Sequence, residues 1–284
     1  MSYVVLQKIV KGDRVGVRRP TTREDIVTLI ETPRSQYAQV AELIRRRIED
    51  GTYPRGSMLP SEPELAAELN ISRVTINKAI SLLRTAGLVR VRRGSGTVVR
   101  GLPQITRDAQ RRYAARDKGT GAGEVEVTEL NLRSRTDYGE IARTRPPAAV
   151  AKVLGLTPRE DVLVRPRVLY AEDEPTQIAD SYYPWSIAKR SKELLQPDSG
   201  QGGSYGRLTD LGYGPVRFSE DVTVRLPSDK EQRVLDLEPT QPVFEVWHVA
   251  YTAEDRPVEV CVHVMPGYLW KLRYAWDDQS SSDG

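Results

Sequence analysis

Arg73, Asn77 and Lys78 follow Ser72 at helical spacing, with Val74 and Ser81 completing the stripe. On a wheel of ~100° per residue these side chains face out, while Ile76, Ala79, Ile80 and Leu83 face in. An Arg fork matches guanine, an Asn amide matches adenine and a Lys ammonium neutralises phosphate. The stripe therefore has the chemistry of a helix laid in the major groove of DNA. Arg92 and Arg93 precede Gly94, Ser95 and Gly96, so two cations sit beside glycines that permit close backbone approach. A second set lies further along the chain. Arg165 and Arg167 occupy alternate positions of a strand pattern and share one face, suited to gripping a carboxylate or phosphate bidentately. Ser204 and Tyr205, after Gly202 and Gly203, open a helix whose free N–H groups favour anions. The competing reading pairs Arg165 and Arg167 structurally with Glu220, Asp221 or Glu259.

Other chemistries find little support. His248 and His263 both lie within apolar strand patterns and read as satisfied sheet residues, so no metal site is expected. No convincing acid–base pair is present, and neither an enzyme nor a cofactor is expected. Cys261 is the single cysteine, flanked by Val260 and Val262, and reads as core packing. A chain with no possible internal disulfide fits a reducing, cytoplasmic compartment. No run approaches the ~18 apolar residues of a membrane span, and the first residues carry no secretory pattern, so no membrane partner is expected. Tyr182, Tyr183 and Trp185 either line a pocket or pack a core.

The elements that must position these residues follow from pattern. The 284 residues suffice for two packed domains. Tyr37, Val40, Ile44 and Ile48 mark a helix stopped by Gly51, and Ser57–Leu59 is a short strand. Ser61-Glu62-Pro63-Glu64 is a capping box opening a second helix. Asn70 and Ile71 turn the chain, and Ser72 caps a third helix closed by Gly87. Leu88–Val91 and Thr97–Val99 form a hairpin around Arg93–Gly96. Residues 101–123 read as a linker. Strands are then expected near 125–132, 162–170, 176–183, 216–226, 243–252 and 258–265, with helices near 147–154, 204–211 and 228–235. Residues 1–33 form an extension of unknown role, with a strand at 3–10 or a helix at 23–30 possible within it. Residues 277–284 read as a disordered tail.

The net charge of +3 is unevenly spread. Positions 69–107 hold Arg73, Lys78, Arg84, Arg90, Arg92, Arg93, Arg100 and Arg107 with no acidic residue, whereas 117–284 carries more acid than base. A basic block beside an acidic domain is the footprint of one module facing a polyanion.

Residues 36–100 resemble the N-terminal domain of the GntR family of bacterial regulators. The resemblance rests on Gly56-Ser57-Met58-Leu59-Pro60-Ser61-Glu62, Glu64-Leu65-Ala66, Ile71-Ser72-Arg73-Val74-Thr75, Ala86-Gly87-Leu88-Val89 and Arg93-Gly94-Ser95-Gly96-Thr97. It implies that Arg73, Thr75 and Asn77 read an operator while Arg93 and Gly94 of the wing enter a groove. Ser61, Ser72, Val74, Lys78, Arg92, Ser95 and Gly96 complete the candidate DNA contacts. Many members carry Arg at the places of Pro63 and Asn77. Pro63 removes one base contact, and Asn77 favours adenine. Residues 124–276 resemble the UTRA effector domain of the HutC-like branch, through Val164-Arg165-Pro166-Arg167, Ser181-Tyr182-Tyr183-Pro184, Gly203-Ser204-Tyr205-Gly206-Arg207-Leu208, Val224-Arg225 and Pro257-Val258-Glu259. That likeness implies a chorismate-lyase-like antiparallel sheet with helices that binds an effector and dimerises. Arg165, Arg167, Ser204, Tyr205, Arg225 and Glu259 are its candidate effector contacts. Ala179 stands near a position where some sugar-phosphate-sensing relatives have an acid.

The expected fold class is α+β: a winged helix-turn-helix at 34–100, a linker at 101–123 and an effector domain at 124–276. The expected function is a homodimeric, sequence-specific regulator, a repressor modulated by a small, anionic effector at a palindromic double-stranded operator. Alternatives are a ligand-independent repressor whose C-terminal domain only dimerises, and a chorismate-lyase-like enzyme.

Overall fold

The computed structural model describes residues 35–92, 94, 96–108 and 125–276, and of Arg92 the backbone alone. The expected 1–33 extension, most of the linker and the 277–284 tail lie outside the described residues, as do Arg93 and Ser95.

The head begins with α1 (Gln36–Glu49), whose Val40, Ala41, Ile44 and Ile48 are buried. Next comes α2 (Glu62–Leu69), opened by the capping box in which Ser61 Oγ accepts from Glu64 N–H and Glu64 returns the bond. Asn70 adopts a left-handed conformation at φ 50°, which turns the chain within two residues into α3 (Arg73–Thr85). Ser72 caps α3 by accepting from Thr75 N–H. Antiparallel strands β1 (Val89–Arg92) and β2 (Gly96–Val99) form the wing, and Met58 adds an isolated bridge to Val98. Ile44, Leu65, Ile76, Leu83 and Val89 meet in one core, which fixes the three helices and the wing as a unit.

Between head and body the chain does more than link. Strand β3 (Ile105–Asp108) lies inside the stretch read as a linker, with Ile105 and Arg107 buried. It pairs in parallel with the last strand, β11 (Trp270–Arg273). A four-residue strand carrying an Arg at a buried position leaves almost no periodic trace, which is why sequence pattern missed it. Residues 125–132 differ too: Val125–Thr128 is a helical turn, α4, followed by a turn, and not a strand. Val125 and Val127 favour strands locally, but burial of Val127 against Ile105 and Trp270 decides the outcome.

The body is a seven-stranded sheet in the order β4 (Ser134–Tyr138), β6 (Val162–Ala171), β7 (Glu174–Pro184), β10 (Pro257–Pro266), β9 (Val243–Tyr251), β8 (Arg217–Arg225), with β5 (Ala142–Thr144) also on β6. Every pairing in this sheet is antiparallel. One face carries α5 (Ala148–Val153), whose Val150 packs with Val162, Val249 and Val260. The other is covered by α6 (Trp185–Ala188) and α7 (Gly203–Asp210), where Ile187 and Leu208 meet Leu163, Tyr183 and Ala250. Helix α8 (Asp229–Leu235) packs Leu235 against Val243 and Val264. Mixed helices and an antiparallel sheet make an α+β protein.

Candidate nucleic-acid interface and effector site

The amphipathic split of α3 follows the wheel: Ile76, Ala79, Ile80 and Leu83 are buried, while Arg73, Val74, Asn77, Lys78 and Ser81 are exposed. Val74 keeps 67% of its surface in solvent, an apolar side chain left at the rim of a cationic stripe. Thymine methyls are the natural partner of such a group in the major groove. Thr75 is half-buried at the flank, its Oγ1 2.9 Å from Ser72 Oγ, so both hydroxyls serve the helix cap. Ser61 likewise serves the α2 cap. Asn77 Nδ2 donates to Glu62 Oε1 at 2.9 Å, which ties the carboxamide to α2. Reading a base with Asn77 requires that bond to be exchanged. At the wing, Gly94 and Gly96 have φ of +77° and +106°, backbone that L side chains rarely adopt.

The acid-free block divides in two. Arg84 lies 3.5 Å from Glu238, and its carbonyl accepts from Gln241 Nε2 at 2.7 Å. Arg90 faces Glu174 at 3.9 Å and Asp236 at 3.8 Å. Arg100 lies 3.9 Å from Glu174, donates to the Asp236 carbonyl at 3.2 Å and sits 4.7 Å over the Tyr268 ring. Four cations of the block, Arg84, Arg90, Arg100 and Arg107, thus meet acids of the body rather than a polyanion. The reason is distance along the chain: their partners lie beyond position 173, where local charge pattern cannot reveal them. Burial pushes the Tyr268 hydroxyl up to about 12, so the ring under Arg100 stays neutral. Gly87 closes α3 against the same ring, and its missing Cβ is what lets Tyr268 approach.

On the body, strand register lines up a polar row across five strands. Arg165 pairs with Ser181, Ser181 with Cys261, Cys261 with His248, and His248 with Glu220. Paired residues share a face, so all five project to the side covered by α6 and α7. Arg167 is half-buried on the same face, donating to Ser181 Oγ at 2.9 Å. Burial disfavours its cation, but the surroundings of Cys261, Tyr183 and Glu259 outweigh that and hold it charged. Tyr183 donates to Glu259 Oε1 at 2.5 Å, and burial pushes its own hydroxyl well up. His248 Nε2 lies 2.9 Å from Tyr205 OH, and its Nδ1 lies 3.3 Å from Glu220 Oε1. Arg107, reaching in from β3, also bonds Glu220, and Tyr274 donates to Glu220 Oε2 at 3.0 Å. Burial alone would raise Glu220, yet His248 and Arg107 hold its carboxyl well below the usual range.

Arg167, Glu259 and Tyr205 are therefore brought to one face, with Ser204 on the helix above it. Arg165 shares that face, but its guanidinium donates to the carbonyls of Leu194, Gln196 and Pro197, the last at 3.0 Å. Its partners are neither the acids weighed against it nor open space. Arg225 is not part of the group: it lies on the opposite face of β8, between Glu231 and Glu245. Sequence reasoning treated His248 as ordinary sheet filling and left Arg107 in a linker. The alternation of His248 with Val246 and Ala250 was the available signal for a shared face.

An exposed cationic helix on a winged head, wired to a buried polar face in a second module, defines a DNA-binding transcriptional regulator. Residues 36–99 match the bacterial regulatory proteins of the gntR family, and residues 129–268 match the UTRA domain. The chain is 30% identical to an uncharacterized HTH-type transcriptional regulator of Streptomyces coelicolor over 85% of this chain and 91% of that protein. It is 27% identical to a probable fructoselysine utilization operon transcriptional repressor of Escherichia coli, over 79% of this chain and 87% of that one. Among solved structures, PhnF from Mycobacterium smegmatis shares the fold with a TM-score of 0.53 and 23% identity, covering 84% of this chain and 99% of that one. The chain belongs to the GntR family of bacterial regulatory proteins, in its UTRA-bearing, HutC-like branch. Families and relatives alike are transcriptional regulators and not enzymes. Among the described residues, no helix is long and apolar enough to cross a membrane, and no cluster of His, Cys, Asp and Glu fits a metal ion.

Proposed function

We propose that the chain is a cytoplasmic, homodimeric repressor whose grip on a palindromic operator is released by a small anionic effector. In this reading the head spans 34–100 and the body 124–276. Arg73, Asn77 and Lys78 with Val74 read the major groove, and Arg92 to Gly96 follow the adjacent backbone or groove. Ser61, Ser72 and Thr75 act chiefly by holding the helix starts in place. The effector sits under α7, its anionic group toward Arg167 and the Ser204 end of the helix, and its hydroxyls toward Glu259 and Tyr205.

The observation that carries this reading is Arg107. It belongs to the segment joining head to body, yet its guanidinium is built into the polar row through Glu220. A ligand that rearranges Glu220, His248 or Tyr205 changes what holds Arg107 and hence the strand leading to the head. Coupling of this kind needs an effector with different affinity for two arrangements, and it is reciprocal. The test is a fluorescence-anisotropy titration of the full chain on its own upstream DNA, repeated across sugar phosphates and short carboxylates. One compound should weaken binding, and Arg107→Gln should blunt that response while leaving effector affinity measurable. An effector response unchanged in Arg107→Gln contradicts the route.

A second reading is favoured by Arg165, which is already satisfied by three carbonyls. Here the body only dimerises and the repressor ignores ligands. Thermal shift across the same compounds separates the two, since a ligand bound at 100 times its Kd raises stability by about 2.7 kcal/mol.

A further inference from the structure

We propose that Glu62 sets one position of the operator by accepting from the N4 amino group of a cytosine, with Asn77 as the strut that aims it. The inference rests on α3 lying in the major groove and changes the part that Asn77 plays there. Glu62 opens α2 and is half-buried where that helix meets α3. Its Oε1 accepts from Asn77 Nδ2 at 2.9 Å, which holds a carboxylate at the edge of the outward stripe of α3. Among the described residues no cation pairs with Glu62, and its Oε2 has no hydrogen-bond partner. The start of α2 does not use this side chain, because Ser61 and Glu64 close the capping box between them. Pro63, the next residue, brings no donor of its own.

A carboxylate in this place repels phosphate, so it is no general DNA contact. Brought against base edges, it loses water and needs a donor in exchange. Guanine and thymine offer only acceptors at the major-groove edge, O6 with N7 and O4 respectively. Adenine offers its N6 amino group beside the N7 acceptor, whereas cytosine offers the N4 amino group with no acceptor beside it. Reading adenine with Asn77 also takes the carboxamide away from Glu62 and strands the carboxylate in the groove. Cytosine leaves the pair intact: Asn77 keeps Oε1, and the N4 amino group takes Oε2. Asn77 follows Arg73 by one helical turn, about 6 Å of rise or roughly two base steps. The cytosine is therefore expected within about two base pairs of the guanine that Arg73 reads.

A base-pair substitution scan of one half-site tests this, with the full chain titrated on its own upstream DNA by fluorescence anisotropy. In the wild type, exchanging one C·G pair for T·A puts the O4 acceptor where the N4 donor was. That exchange should weaken binding about 5- to 150-fold. In Glu62→Ala the same exchange should change binding less than about twofold, and adenine should become the preferred base as the Asn77 carboxamide is set free. Glu62→Ala spares the capping box and removes a charge that repels phosphate, so affinity for unrelated DNA should not fall. Asn77→Ala removes the strut alone and should reduce the cytosine preference without moving it to another base. Equal losses on every sequence in Glu62→Ala, with the wild-type preferences kept, make the bond a tie between helices and overturn the proposal. So does a preference that survives Glu62→Ala and disappears in Asn77→Ala, since Asn77 is then the reader. A wild-type scan that is flat at every base pair removes the groove reading of α3, and this assignment with it.

Discussion

Replacing Gly87 by Ala should undock the DNA-binding head from the body. Gly87 sits at φ +72°, and a Cβ built there falls 2.0 Å from Tyr268 Cγ, 2.3 Å from Cδ2 and 2.6 Å from Cβ. Those atoms are the base of the ring, so no swing of a flexible tip relieves the overlap. Two costs add. The left-handed backbone with a Cβ costs about 1–2 kcal/mol, and forcing atoms into a filled space costs about 1–3 kcal/mol. The sum, about 2–5 kcal/mol, matches or exceeds what the three partly exposed ion pairs of Arg84 and Arg90 with Glu238, Glu174 and Asp236 return together, at most about 3 kcal/mol at about 1 or less each. Denaturant unfolding followed by circular dichroism measures the loss, and limited proteolysis between positions 100 and 125 reports the undocking. A double-mutant cycle separates the terms. In a Tyr268→Gly background all three contacts are gone, so Gly87→Ala should then cost only the backbone share. Equal costs in both backgrounds, or a loss under about 0.5 kcal/mol in the wild type, would refute the reasoning.

Three further outcomes are expected. Arg73→Ala should weaken specific operator binding by about 1–3 kcal/mol, roughly 5- to 150-fold, in a mobility-shift titration; undiminished binding means that α3 is not the reading helix. Arg165→Ala strips the donor from the carbonyl of buried Leu194, those of exposed Gln196 and Pro197 being open to water, and should destabilise the body by about 1–3 kcal/mol for the one buried group orphaned; unchanged stability with lost effector binding by calorimetry would return Arg165 to the role of a clamp. Glu220 has its pKa depressed by His248 and Arg107, so its contribution is complete above the unfolded glutamate value of ~4.3 and lost as pH falls below it. Glu220→Gln should therefore be less stable than wild type at pH 7, with the gap narrowing on acidification, and a gap constant from neutral pH to pH 3 would contradict the pairing.

Local chemistry made the head legible. Its core comes from residues three and four apart, its caps from Ser61 and Ser72, and its turn from Asn70, all within a few positions of what they control. Long alternating strands such as β7 and β10 were legible for the same reason. The short polar strands β4 and β5 were not, because Ser134–Tyr138 and Ala142–Thr144 present few apolar residues to alternate. The site was legible in part. Register could not be read before the strands were paired, so the row from Arg165 to Glu220 stayed invisible although each member was on view. Charge misled most: Arg84, Arg90, Arg100 and Arg107 read as DNA-facing because nothing acidic lies near them in sequence. Their partners, from Glu174 to Glu238, arrive only through the fold.

Selection of duplexes from a random library by the full chain tests the central claim most directly. Enrichment of an inverted repeat whose half-sites lie about 10 bp apart or a multiple of it, lost with Arg73→Ala, is the expected result. No enriched motif at low ionic strength, or the same motif drawn out by Arg73→Ala, would contradict the assignment of α3 as the element that reads DNA.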